Sequence, residues 1–176
     1  MKKEFDICDE WLGFEVHPET PPEGVLLTVC LPQIDWDDMY RNLRLSGKRF
    51  GIEFGQVTLL SNSRLSLEVG EFARDAGKYD EMHEALFRSY FTQVQDIGNR
   101  DVVFALAGEI GLDCDGLEAA LEEKRYAERL ERVAGEARQH GITAAPTFVI
   151  AEKHVIVGAQ PLEQFREVLL NCSQSG

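Results

Sequence analysis

The sequence predicts an α/β protein: a strand near the N-terminus, a long block of helices, then a β-hairpin and a last helix. Three observations predict it. Phe148, Val149 and Ile150, then Val155, Ile156 and Val157, form two short apolar runs around the polar turn Glu152-Lys153, which reads as a hairpin. Neither run alternates, so the hairpin is expected to be buried on both faces. From about 35 to 140, apolar residues recur at intervals of three and four, the helical period. Ahead of that block, residues 9–16 alternate and end in a proline-rich loop.

Taken in order, Leu12, Phe14 and Val16 share one parity, and a strand is expected over 9–16, with an irregular lead-in containing Phe5 and Ile7. His17 to Gly24 holds three prolines and cannot be regular structure. Asp35 is placed to cap a helix over 36–50, with Trp36, Met39, Tyr40, Leu43 and, less regularly, Phe50 on one face and Gly51 after it. Residues 52–60 read as a connector with a brief extended stretch. Ser61-Asn62-Ser63 precedes a helix over 64–76, carrying Leu65, Val69, Phe72 and Ala76. A helix over 79–94 has a broad apolar front of Met82, Ala85, Leu86, Phe87, Tyr90 and Phe91, so burial on more than one side is expected. Asn99 caps a helix over 100–110. From Asp115 two stripes follow, Leu117, Ala120 and Leu121, then Ala127, Leu130, Val133, Ala134 and Ala137. Their phase slips near Lys124-Arg125-Tyr126, so two helices or one kinked helix are expected up to His140-Gly141. A final helix is expected over 161–171, with Leu162, Phe165, Val168 and Leu169 facing inward and a frayed tail from Ser173.

Composition limits the partners. The 176 residues carry a net charge of −13, against nucleic acid and against anionic membrane surfaces. No apolar run reaches the ~20 residues of a membrane-spanning helix. Met1-Lys2-Lys3 is not followed by an apolar stretch, so no signal peptide is read and a cytoplasmic location is expected. Cys8, Cys30, Cys114 and Cys172 form neither a Cys-X-X-Cys pair nor a zinc spacing, and each reads as a small apolar residue. Cys8 and Cys114 stand among Asp6, Asp9, Asp113 and Asp115, the opposite of the electropositive setting a reactive thiolate needs. No metal site, cofactor or catalytic residue is expected.

Gly141-Ile142 followed by Pro146-Thr147-Phe148 resembles the loop before the last hairpin in the DsbA group of thioredoxin-like proteins. Gly158-Ala159-Gln160, and the strand ending in His17-Pro18 before its proline-rich loop, resemble the branch of FrnE-like oxidoreductases and 2-hydroxychromene-2-carboxylate isomerases. The resemblance implies a thioredoxin-like (DsbA-type) core from residues 1–34 and 141–176, with a large helical insertion over 35–140. It implies a cis bond before Pro146, and a role for Ala145 and Pro146 in binding substrate by strand addition. The first βα unit of such a core, with its Cys-X-X-Cys, is not in this sequence, so the chain reads as N-terminally truncated.

Three functions follow from the resemblance. The first is a dithiol–disulfide oxidoreductase family member, inactive or incomplete as it stands because the motif is absent. The second is a glutathione-dependent isomerase or transferase of the kappa type. The third is a non-catalytic protein that binds a peptide or dimerises. Expected partners are protein thiols and disulfides, or glutathione. A bare ladder edge in such a core needs a neighbour. Either residues up to 16 are expected to pair with the hairpin, or two copies form a homodimer.

Overall fold

The computed structural model describes residues 1–174. The chain divides into two compact units, His17–Glu131 and Met1–Val16 together with the segment from Arg132 onward.

The first unit opens with a short antiparallel pair, β1 (Val25–Leu26) against β2 (Leu59–Leu60). β1 was not visible in the periodicity, since two residues are too few to alternate, while β2 is the brief extended stretch of the connector over 52–60. Gly24 makes the pair possible. Its φ is +74°, and a Cβ there would lie 2.8 Å from the Leu60 carbonyl oxygen. One helical turn, α1 (Leu27–Cys30), follows, and Asp35 caps α2 (Trp36–Lys48) through the amide of Asp38. Most of the expected face of α2 packs: Tyr40 is buried with Leu27 and Val57, backed by Trp36, Met39 and Leu43, but the helix stops at Lys48 and Phe50, past its end, is exposed. The Tyr40 hydroxyl donates to the Val57 carbonyl at 2.9 Å.

The main core lies among α3 (Arg64–Asp75), α4 (Tyr79–Phe87), α5 (Arg100–Glu109) and α6 (Cys114–Glu122). Val69, Met82, Val103 and Leu117 are fully buried in it. The helix expected over 79–94 is not uniform: α4 passes into a π-helical turn at Arg88–Thr92. Nor is its apolar front all buried, because Phe87 is 51% exposed. Tyr79, His83, Phe87 and Phe91 instead form a ladder of rings along the helix, with centroids 5.8, 4.3 and 5.6 Å apart. The slip near residue 124 is a break. Lys124 has a φ of +52° and separates α6 from α7 (Ala127–Gln139). The buried carboxylate of Glu71 on α3 is held by Arg74 at 3.2 Å and by Arg129 on α7 at 2.9 Å.

The second unit holds β3 (Thr147–Ile150), β4 (His154–Val157) and α8 (Leu162–Gln174). The hairpin register pairs Phe148 with Ile156 and Val149 with Val155. One face packs inward: Ile156 is buried, and the Phe148 ring meets Phe165 of α8 edge-on at 4.9 Å. The other face is uncovered, with Val149, Val155 and Val157 45–51% exposed, so the expected burial on both faces does not hold. Apolar residues stand on both faces of the runs, and only one face has an element to pack against within this unit.

The strand expected over 9–16 is also absent; those residues have no regular structure, and Trp11 and Leu12 are exposed. The only sheets among the described residues are two-stranded, so no ladder was left for this segment, and the expected pairing of residues up to 16 with the hairpin does not form. The N-terminus is tied to α8 by side chains instead: Glu4 accepts from Arg166 at 3.0 and 3.1 Å. Helix α8 runs on to Gln174, so Ser173 lies within it and not in a frayed tail; residues 175 and 176, the rest of that expected tail, lie outside the described residues. Of its expected inward face, Phe165, Val168 and Leu169 are half-buried, while Leu162, the first residue of the helix, is exposed.

Candidate functional site

The loop before β3 is built from the end of α7. Gly141 takes a φ of +65°. That turns the Ile142 amide back to the Ala137 carbonyl at 2.9 Å, closing the helix, while the Gly141 amide reaches the Arg138 carbonyl at 3.1 Å. The chain then crosses Ala144 and Ala145 to Pro146, and the Ala145–Pro146 bond is cis. Thr147 fixes the far side. Its hydroxyl donates to the Ala144 carbonyl at 2.6 Å, so the loop closes on itself around the proline. Ala145 and Pro146 are both exposed.

The ladder decides what β3 presents outward. The Gly158 amide donates to the Pro146 carbonyl at 2.7 Å, which makes 146 and 158 a hydrogen-bonded pair. In an antiparallel ladder such pairs alternate, so Phe148 and Ile150 also point their backbone groups at β4. The N–H and C=O groups of Thr147 and Val149 point the other way. Among the described residues no third strand takes them up. The outer edge of β4 is partly used, since the Gln160 side chain donates to the Val157 carbonyl at 2.9 Å. The β3 edge, continuous with Ala145 and Pro146, is therefore the open one. Sequence reasoning named Ala145 and Pro146 and missed Thr147 and Val149. The signal was available in the two-residue period, but it needed the pairing parity that only the register supplies.

The cysteines are not brought together. All four are free thiols: Cys8 is exposed, and Cys30, Cys114 and Cys172 are half-buried. Cys114 opens α6, one residue earlier than the pattern suggested. Its sulfur lies 3.8 Å from the Leu112 carbonyl and 4.0 Å from that of Phe104, the position of a weak S–H donor. Of the histidines, His17 contacts Glu19 at 3.1 Å, and His140 and His154 are exposed. Half-buried in the ring ladder, His83 has its pKa lowered by desolvation. Among the described residues no cluster of three or more His, Cys, Asp or Glu side chains is poised for a metal, and no helix is long and apolar enough to cross a membrane.

A hairpin with an exposed X–Pro entry, backed by a C-terminal helix and joined to a helical block, defines a thioredoxin-like protein of the DsbA type. The DSBA-like thioredoxin domain matches residues 14–170, and the chain belongs to that family. Among curated proteins it is similar to the uncharacterized protein YwbO of Bacillus subtilis, 29% identical over 167 residues, spanning 93% of this chain and 82% of that one. Among solved structures it resembles the crystal structure described as a "probable DsbA oxidoreductase", SCO1869 from Streptomyces coelicolor. The TM-score is 0.80 at 22% identity, over 93% of this chain and 74% of the other, a likeness of fold.

Proposed function

We propose that this DsbA-family chain docks an extended segment of a thiol- or disulfide-bearing protein along Ala145, Pro146 and the outer edge of β3. The observation that carries the reading is the open edge: an exposed Ala145–Pro146 entry continuous with the outward N–H and C=O groups of Thr147 and Val149. A peptide laid there gains main-chain hydrogen bonds, and the uncovered Val149 and Val155 give its side chains an apolar floor. In this reading residues 1–34 and 141–176 form the core and 35–140 the helical insertion.

The reading assigns this polypeptide binding rather than exchange. Thiol–disulfide exchange needs a thiolate to attack one sulfur of a disulfide, and a second thiol to resolve the mixed disulfide that results. Cys8, Cys30, Cys114 and Cys172 have no partner two residues away, and none is in a disulfide.

The test is a titration of the chain with a disulfide-containing peptide, followed by the amide resonances of residues 145–150. Saturable shifts confined to that edge are expected. Val149→Pro removes an outward N–H without costing the hairpin a ladder bond, so it should abolish the shifts and leave the hairpin formed. Binding that survives this substitution overturns the edge assignment. Peptide-independent dimers that the substitution dissolves would place a second copy on the edge instead. Disulfide reduction by the purified chain that is lost with Cys8→Ser or Cys30→Ser would overturn the non-catalytic reading.

A further inference from the structure

The C-terminal end of α2 gathers cations in a chain whose net charge is −13. Residues 44–52 hold three of the 18 lysines and arginines and none of the 31 acids. Arg44, Lys48 and Arg49 are all exposed. At 100° a residue, they lie with Leu45 within ~140° of one another round the helix. Arg44 donates to the Phe54 carbonyl at 3.1 Å, a neutral acceptor that leaves its charge uncompensated. Among the described residues nothing pairs with the side chains of Lys48 and Arg49. Asp38, the acid earlier on this face, is already held by Arg41 at 2.7 Å. Glu53 follows the stretch, and counting it leaves three cations against one acid.

The same stretch exposes apolar side chains that the core does not use. Leu45 is 64% exposed, Phe50 77% and Ile52 47%. The way the helix ends accounts for Ile52. Its amide turns back to the Gly47 carbonyl at 3.0 Å, and Gly51, with a φ of +70°, donates to the Lys48 carbonyl at 3.4 Å. In such a Schellman closure the residue at the place of Ile52 ordinarily packs on the side chain at the place of Gly47. Here that side chain is missing, and there is no room for one. A Cβ on Gly47 would lie 2.7 Å from the Ile52 carbonyl oxygen and 2.8 Å from the Phe54 ring. The closure also satisfies the carbonyls of Ser46, Gly47 and Lys48, so Lys48 and Arg49 are not needed as caps.

We propose that this helix end docks an acidic segment of a partner protein, one that carries bulky apolar side chains. Its carboxylates would meet Arg44, Lys48 and Arg49, and its apolar groups Leu45, Phe50 and Ile52. Charge decides the occupant. An anionic lipid surface is a plane, and would bring the surrounding acids of this chain within the ~8 Å over which charges act at physiological salt. A protein segment can cover the cations alone. The face of α2 that could lie in a membrane, Trp36, Met39, Tyr40 and Leu43, is turned to the core. A neutral or cationic partner would cover these cations without pairing them. The surface is distinct from the β3 edge and does not rest on the reading given to that edge.

The test uses the whole chain, labelled with ¹⁵N, and three peptides without cysteine. The first alternates glutamate with leucine and phenylalanine. The second has glutamine for glutamate, and the third has serine for the apolar residues. The first should give saturable shifts at the amides of Leu45, Lys48, Arg49, Phe50 and Ile52. The other two should bind about tenfold more weakly, or worse. Lys48→Glu combined with Arg49→Glu should weaken the first peptide by about tenfold or more, and a peptide with lysine for glutamate should bind that double variant better than the parent chain. The exchange of sign on both partners separates binding from any effect on folding. Val149→Pro, which disables the β3 edge, should leave this binding unchanged, so the two readings fail separately. No saturable shift at these amides, equal affinity for the glutamate and glutamine peptides, a double variant that binds as before, or loss of binding in Val149→Pro would each overturn the proposal. Phosphatidylserine vesicles that bind the chain through the same two cations would make the occupant a lipid surface. Dimers that the double variant dissolves would make it a second copy. Either result overturns the proposal as well.

Discussion

Removing the bond between Glu71 and Arg129 should destabilise the chain far more than removing any surface ion pair. The Glu71 side chain is only 6% exposed, while Arg74 and Arg129, which hold it, are 28% and 35% exposed. Arg129 also reaches Asp75 at 3.0 Å, and the Tyr126 hydroxyl donates to the same carboxylate at 3.0 Å. The network joins α3 to α7. Deleting one partner of a fully buried pair costs ~3–5 kcal/mol, because a bare charge stays behind. Here the arginines can partly rehydrate, so Glu71→Ala should fall below that range, near ~2–3 kcal/mol, about the worth of one or two charge-assisted bonds. Arg129→Met leaves Glu71 with Arg74 and should cost ~1–2 kcal/mol. The double-mutant cycle should give a coupling of ~1 kcal/mol or more. Urea unfolding at unchanged slope measures each variant. The control is Glu123–Arg125, a pair 61% and 49% exposed, for which the same cycle should return no coupling above the error of the measurement. If both cycles give the same coupling, burial does not set the strength of the Glu71 pair and the reasoning fails.

Other outcomes follow from burial. Met82→Ala empties the centre of the helical core and should cost ~2–5 kcal/mol, read from the same unfolding curves. A loss under ~1 kcal/mol would mean that α3, α4 and α5 collapse into the space. Desolvation raises all four tyrosines, Tyr40, Tyr79, Tyr90 and Tyr126, with Tyr90 pushed up to about 12. Folded protein should therefore show little tyrosinate absorbance at the ordinary phenol pKa of ~10. The stability these neutral phenols contribute is present below that pKa and lost as pH rises towards the folded values. Normal titration of all four near 10 would contradict their burial. His83 has the opposite sign. Its folded pKa is depressed, so its contribution is present above the ordinary value of 6.5 and lost as pH falls through the folded one. His83→Gln should flatten that part of the acid limb, and an unchanged limb would remove His83 from the account.

The helices were legible because their signals are local. Asp35 and Asn99 cap as their side chains dictate, and Leu117 and Leu130 lie on the stripes that their spacing draws. The hairpin was legible as two runs and a turn, but its burial was not. Val149 and Val155 look like core residues to any reading of composition, and whether they are covered depends on an element elsewhere in the chain. The segment 9–16 failed for the same reason, since alternation gives a tendency and a strand needs a partner. Phe87 failed for a different one: five residues on from Met82, it stands about 140° round the helix from it, on the face of Tyr79 and His83, and apolar character alone had counted it with the buried front. At the candidate edge, the residues Ala145 and Pro146 were named by resemblance, while the outward groups of Thr147 and Val149 required the ladder's parity.

The π-helical turn that follows α4 has a consequence for how the chain tolerates change in length. Its signature is the Gln93 amide reaching back five residues to the Arg88 carbonyl, at 3.0 Å. Such a turn behaves as a regular helix carrying one surplus residue. Beyond α4, the surplus sets the direction of Ser89, which is fully buried against the Gln95 side chain at 2.8 Å, and of Tyr90, whose hydroxyl donates to the Leu59 carbonyl at 2.8 Å. Excising one residue between Arg88 and Thr92 would restore ordinary helical bonding locally, yet rotate everything after it by ~100°. The seryl and tyrosyl groups would leave their partners, and Phe91 would swing out of the ring ladder. A one-residue deletion here should therefore be tolerated worse than one in the loop at 17–24, although it would make the helix itself more regular.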